Sequence, residues 1–309
     1  MSKSRLWAGR LGLALLVLLA AAVAWNPILD AVHRRQVEAL LNEKLHGHFS
    51  IVRMKSKALH RTNNVYIYTP PGYKSSREHY PVVYLLHGCP GEGRDWFVKG
   101  RAHETAERLI LAKQIQPVIL VSADDFGPNG PRDHAEYLNS ARGRVMAEDY
   151  IAHELPQFID TTLRTIPSPN ARALVGLSSG GYGAINVGTK HQDVFHVLAA
   201  HSGYFDPRFE RDEIERMLGV EHGRLWDANN PHKQVSQWRS DPNLRIYLDC
   251  GDSDELLPDN QQLDKELTAN HIKHVFYVTD GAHHWSLWRD RLQNSLKYCD
   301  ACFRELAGK

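Results

Sequence analysis

The sequence predicts an α/β fold, with a mostly parallel central sheet and helices on both faces. Three observations predict it. Short, wholly apolar runs such as Val82–Leu86 and Ala173–Leu177 read as strands buried on both faces. Stretches of helical spacing recur between such runs, as crossovers joining parallel strands require. One of the strands runs straight into Ser178-Ser179-Gly180-Gly181, a strand-to-helix turn rather than a hairpin.

The chain has 309 residues, 42% hydrophobic and 24% charged, which is ordinary for a globular enzyme and enough for one large core. A formal net charge of +1, with basic residues scattered, argues against a nucleic-acid partner. The N-terminus breaks from this composition. Lys3, Arg5 and Arg10 precede an apolar run from Leu11 to Trp25, the pattern of an export signal. The run makes about 22 Å of helix, short of a hydrocarbon core of roughly 30 Å. Ala22-Val23-Ala24 offers a small-residue cleavage site. Against cleavage, Trp7 and Trp25 are spaced about 27 Å apart along a helix, as interfacial aromatics of a membrane anchor would be. Residues 1–25 are therefore read as a signal peptide or a signal anchor. Both readings export the rest of the chain to the periplasm or beyond, the second with membrane attachment. Residues 26–48 suit an amphipathic helical spacer, and 49–309 form one domain.

Within that domain, Phe49–Leu59 and Asn64–Tyr68 read as strands, closed by the turn Pro70-Pro71-Gly72. Val82–Leu86 ends in His87-Gly88. A helix over about His103–Lys113 leads to an apolar strand, Val118–Val121, and a second helix covers Ala147–Leu163. Ala173–Leu177, Val197–Ala200, Arg245–Asp249 and His274–Val278 continue the strand series. A terminal helix spans roughly Trp288–Leu306. Residues 206–243, between the sixth and seventh strands, are longer than a βα connection needs and hold Phe209, Met217, Leu218, Trp226 and Trp238. They predict a small cap over the site, with one short helix near Arg211–Leu218.

The chemistry centres on Gly176-Leu177-Ser178-Ser179-Gly180, G-x-S-x-G where a strand ends and a helix begins. A serine in that tight turn exposes its hydroxyl beside a helix N-terminus, which favours developing negative charge. The partners of such a nucleophile follow in the order acid, then histidine, each just beyond a strand end. After the last strand stand His283 and His284, either of which can serve as general base. After the preceding strand stand Asp252 and Asp254; Asp206 follows an earlier strand. A carboxylate among these would orient the imidazole and stabilise its protonated form.

These motifs resemble the esterase family that includes esterase D (S-formylglutathione hydrolase), feruloyl and enterochelin esterases and mycolyltransferases. The similarity runs from about Val65 to Trp288. It rests on Tyr84–Gly88 with Asp95-Trp96, on Gly176–Ala184, and on Ser202–Phe205. It continues in Ala228–Pro231, Gly251–Asp254 and Gly281–Trp285. The resemblance implies the α/β-hydrolase fold and a serine carboxylic-ester hydrolase without cofactor. Its G-x-x-D pattern selects Asp254, and its G-G-H-x-W pattern selects His283. It also places the oxyanion-hole N–H groups on Cys89 and Ser179. Many relatives carry methionine where this chain has Ser179, a swap that keeps the N–H and changes pocket polarity. Acyl transfer to a sugar or lipid hydroxyl is the alternative reaction; a non-catalytic interaction module is weighed against both.

Trp96, Trp285 and Trp288 are candidates for contacting the substrate, with core packing as the competing role. In the implied fold, Cys89 and Cys250 lie on strands about 14 Å apart, too far for a disulfide. Cys299 and Cys302 share a helix face and form either a local bridge or two free thiols. No H-E-x-x-H zinc motif, P-loop or dinucleotide fingerprint is present, so no metal is expected in the chemistry.

Overall fold

The computed structural model describes residues 31–308 except His222, and leaves undescribed the side chains of Arg132, Arg239 and Ser240. The described chain divides at Lys44–Leu45 into two compact units. In the first, residues 31–42 form helix α1, inside the segment expected to be an amphipathic spacer. The apolar run from Leu11 to Trp25 lies outside the described residues. Among the described residues, no helix is long and apolar enough to cross a membrane.

The second unit is built on an eight-stranded sheet in the order β1-β2-β4-β3-β5-β6-β7-β8. The strands are β1 (His48–Ser56), β2 (Arg61–Thr69), β3 (Val82–Leu86), β4 (Ile119–Ala123), β5 (Arg172–Leu177), β6 (Val197–His201), β7 (Arg245–Gly251) and β8 (His274–Thr279). β2 is antiparallel to both β1 and β4, and every other pairing is parallel. The helices are α2 (Asp95–Val98), α3 (Ala102–Leu111), α4 (Ala147–Asp149), α5 (Leu155–Thr162), α6 (Ser179–Lys190), α7 (Arg211–Leu218), α8 (Arg224–Ala228), α9 (Pro231–Gln234), α10 (Leu257–Ala269) and α11 (Trp285–Ala307).

Strand alternation sorts the core into two layers. Tyr84, Leu86, Leu174, Leu198 and Ile246 pack with Tyr182, Ile185 and Leu263 of α6 and α10 on one face. Their alternates face the other way, where His201 and Tyr247 meet Ser295 and Arg291 of α11. β3 lies between β4 and β5, so the chain leaves it in one direction and resumes on its other side at β5. The loops after β3 and β5 thus diverge and open a crevice at the strand ends, the usual ligand position in open α/β sheets.

Three expectations need correction. β1 ends at Ser56 rather than Leu59, because the Glu154 carboxylate accepts the backbone N–H groups of Lys57 and Ala58 at 3.1 Å and turns the chain there. The helix expected over Ala147–Leu163 is interrupted by a π turn at Tyr150–Glu154. Pro156, which has no N–H and crowds the preceding turn, accounts for the widening. Residues 206–243 carry the expected helix as α7, but also α8, α9 and two 3₁₀ turns that were not expected. Ile214, Met217, Leu218, Trp226 and Trp238 from this segment are buried in the main core, and the Trp226 indole N–H donates to the Gly219 carbonyl at 2.6 Å.

Candidate active site

The crevice holds the predicted nucleophile because of two glycines. A Cβ at Gly176 would collide with the Gly180 carbonyl, and one at Gly180 would strike the Leu86 carbonyl at the end of β3. Glycine at both positions lets β5, α6 and β3 meet closely enough to force the turn. Ser178 itself takes φ 54° and ψ −123°, a left-handed conformation that costs a side-chain-bearing residue about 1–3 kcal/mol. The burial around it holds that conformation: β5 and the first turn of α6 are buried throughout. Ser179 opens α6, so its N–H has no intrahelical acceptor.

The register of β7 and β8 brings the other partners to the same edge. Gly251 pairs with Thr279, so residues 252–254 and 280–283 leave the sheet side by side. His283 Nε2 lies 3.0 Å from Ser178 Oγ, and His283 Nδ1 faces Asp254 Oδ2 at 3.0 Å and Oδ1 at 3.2 Å. The Asp254 carboxyl is buried. Burial pushes its pKa up, but the hydrogen bonds from His283 and from the Leu256 N–H outweigh it and hold the group below the usual carboxylate range. The structure therefore brings Ser178, His283 and Asp254 together. It places the other candidates elsewhere. Asp252 is exposed and accepts from the Gly281 N–H and the Ser253 hydroxyl. Asp206 caps a 3₁₀ turn and pairs with Arg208. His284 points its Nδ1 at the Ser286 hydroxyl.

The cleft at Ser178 has a volume of about 270 Å³. Cys89, Gly88, His283, His284, Trp285 and Trp288 are among its walls. Trp288 stacks edge-on against the His283 ring at 4.9 Å, and Trp285 against Trp288 at 5.5 Å. Both indoles ride on the first turn of α11, which begins at Trp285, three residues earlier than expected. Trp96 needs correction as a substrate contact. It is fully buried, edge-on beneath Trp285 at 5.7 Å, and lines no part of the cleft. Among the described residues, none of 206–243 lines the cleft either. The four cysteines are free thiols, with Cys299 and Cys302 both buried on α11.

Two polar groupings escaped sequence reasoning. Glu136 is fully buried and accepts from the hydroxyls of Ser179 and Tyr204. Burial, reinforced by the nearby Asp125, raises its pKa. It sits in a loop where Glu136 and Tyr137 have φ of 49° and 57°; nothing in local spacing marks it. Deeper in the core, His201 Nδ1 meets Asp249 Oδ1 at 2.8 Å and His201 Nε2 meets Ser295 Oγ at 3.0 Å. This second serine–histidine–aspartate alignment is buried throughout, so no substrate reaches it, and it joins β6, β7 and α11.

Comparison with known proteins gives the family and the fold. Residues 56–299 match the family model described as "Putative esterase". The chain is 24% identical over 239 residues to an acetyl esterase of Caldicellulosiruptor saccharolyticus, covering 72% of this chain and 84% of the relative. It is 25% identical over 256 residues to an endo-1,4-beta-xylanase/feruloyl esterase of Xylanibacter ruminicola, covering 80% of this chain but 31% of that longer relative. A solved ferulic acid esterase structure superposes with a TM-score of 0.74 at 25% identity, over 84% of this chain and all of the other. The chain belongs to this esterase family, with the α/β-hydrolase fold and a carboxylic-ester hydrolase's relatives.

Proposed function

We propose that this member of the esterase family hydrolyses carboxylic esters through an acyl-serine intermediate on Ser178. The observation that carries the proposal is the single imidazole of His283, held 3.0 Å from Ser178 Oγ on one side and 3.0 Å from Asp254 on the other. Asp254 accepts a hydrogen bond from Nδ1–H, which keeps the proton on Nδ1 and leaves the Nε2 lone pair toward the serine. Ser178 Oγ attacks the ester carbonyl carbon while its proton passes to Nε2. The oxyanion is received by the backbone N–H groups of Cys89 and Ser179, an arrangement typically worth a few kcal/mol per donor. Collapse breaks the bond to the alcohol oxygen, which takes the proton from Nε2 and departs. Water then repeats the sequence on the acyl-enzyme and releases the acid.

The cleft is small beside the roughly 300–1,000 Å³ common for drug-sized ligands, and two indoles wall it. A short or flat acyl group suits it. A chain-length series of aryl esters, run with and without added alcohols, tests the reading. Highest kcat/KM for short acyl chains, with free acid as the main product, supports hydrolysis. Acyl ester of the added alcohol as the main product would move the assignment to acyl transfer.

The basic N-terminus followed by the apolar run Leu11–Trp25 supports an exported location for this activity. Protease added to sealed cells, then to cells with the outer barrier opened, tests that: digestion only after opening supports export, and a main pool inside the cytoplasm contradicts it.

A further inference from the structure

Behind the loop that carries Cys89, three side chains from separate segments converge: His87 just past β3, Asp125 just past β4, and His134 in the following loop. His87 Nε2 and Asp125 Oδ1 are 3.5 Å apart, His134 Nδ1 and Asp125 Oδ1 are also 3.5 Å apart, and the three residues bring one ligand atom each to within 4.8 Å of the others. The His87 and Asp125 side chains are each 1% exposed. His87 Nε2 and Asp125 Oδ1 are both buried without a hydrogen-bond partner.

The tautomer of His87 sharpens this. Its Nδ1 lies 3.0 Å from the Gly88 carbonyl oxygen, which can only accept, so Nδ1 carries the proton and Nε2 presents a lone pair. Asp125 Oδ1 is likewise a lone-pair atom. Its sister Oδ2 is held by the backbone N–H groups of Ala135 and Tyr137 at 3.2 and 3.4 Å. Two acceptors therefore face each other in a dry interior, an arrangement that calls for a cation between them. Satisfying both contacts of Asp125 with protons alone would require His87 to be a buried imidazolium.

We propose that His87 Nε2, Asp125 Oδ1 and His134 Nδ1 form a three-ligand site for a divalent transition-metal ion of the zinc class. Two imidazoles and one carboxylate suit zinc, cobalt or nickel, whereas magnesium and calcium favour all-oxygen sets. A tetrahedral ion with bonds of about 2.0–2.1 Å holds its ligand atoms about 3.3 Å apart, close to the two separations of 3.5 Å. The outer contacts also fit. Metal-bound histidines typically donate their second N–H to a carbonyl, and ligating carboxylates are themselves hydrogen-bonded; the Gly88 carbonyl and the two backbone N–H groups fill those roles. None of the three ligands lines the cleft at Ser178. The ion is a brace: it ties the start of the Cys89 loop to the 125–137 segment, which the Tyr137 hydroxyl already joins through the His87 carbonyl at 2.7 Å. Sequence spacing could not reveal it, because the ligands lie 38 and 9 residues apart (125 − 87 and 134 − 125).

The test uses the full chain, stripped with a chelator, given one equivalent of zinc, and freed of excess by gel filtration. Metal content by mass spectrometry and thermal melts follow. Wild type is expected to return about one zinc per chain and to melt higher than the stripped protein. Asp125→Asn keeps the shape, and its amide can donate to His87 Nε2, so it folds without the ion; it and His134→Ala should lose at least about tenfold in zinc affinity. Cobalt in place of zinc should give the intense visible bands of a tetrahedral site in wild type and not in the variants. Wild type that retains no zinc and shows no change in melting overturns the proposal, as do variants that bind zinc as wild type does.

Discussion

Asp252 accepts the backbone N–H of Gly281 at 3.1 Å, two residues before the imidazole that Asp254 holds. The two carboxylates thus share a loop but make different contacts: Asp252 fastens the 252–254 turn to the 280–283 turn, and Asp254 faces His283 Nδ1, where under the proposed mechanism it would set the tautomer. Asp254→Asn keeps the size but can present an N–H to the imidazole, and loss of the corresponding carboxylate lowers turnover by up to about 10⁴ in a serine protease. We expect Asp254→Asn to lose most turnover with a near-normal melt, and Asp252→Asn to be far milder. Kinetics beside thermal melts decide it; an equally stable Asp252→Asn with the greater loss would transfer the role.

The tryptophans separate cleft from core. Trp96 is fully buried beneath Trp285, while Trp285 is half-buried in the cleft wall. Trp96→Ala should destabilise by about 3–5 kcal/mol, as truncating a buried aromatic does. Trp285→Ala should cost much less stability and raise KM for aryl esters. Urea melts and steady-state kinetics on both variants check this, and matching profiles would contradict it.

The buried His201–Asp249 pair predicts a pH-dependent stability. Burial pushes the Asp249 carboxyl up, but His201, the Tyr247 hydroxyl and Arg291 outweigh it and hold the group below the usual carboxylate range. A depressed carboxyl stabilises the fold above its unfolded pKa, and that contribution is lost as pH falls through the lower, folded value. His201→Ala removes one of three partners and should cost about 3 kcal/mol at pH 7, the low end for breaking a buried pair. The cost should shrink in acid, where Asp249 is protonated more readily without His201. Urea melts at neutral and acid pH measure it; a pH-independent cost would attribute the loss to packing alone.

What the sequence made legible follows from physics that acts locally. Val82–Leu86 and Ala173–Leu177 were readable because strands buried on both faces must be apolar throughout, and Ser178 because its turn demands glycine at Gly176 and Gly180. His283 and Asp254 were readable through position after successive strands, and through family motifs that separated them from His284 and Asp252. The rest depends on contacts distant in sequence. Glu154 turns the chain at Lys57 from nearly 100 residues away. Trp96 and Trp285 look alike as letters, and only packing puts one under the other. Glu136 and the His87–Asp125–His134 group lie on loops whose conformation no periodicity encodes.

The central claim is that Ser178 is the nucleophile, and covalent labelling tests it most directly. Wild-type protein treated with a fluorophosphonate should gain one adduct, mapped by peptide mass spectrometry to Ser178, and lose esterase activity in step with labelling. Ser178→Ala should fold as wild type does, take no label, and lose at least about a thousandfold in turnover. A folded Ser178→Ala protein that still labels and still turns over esters would contradict the account.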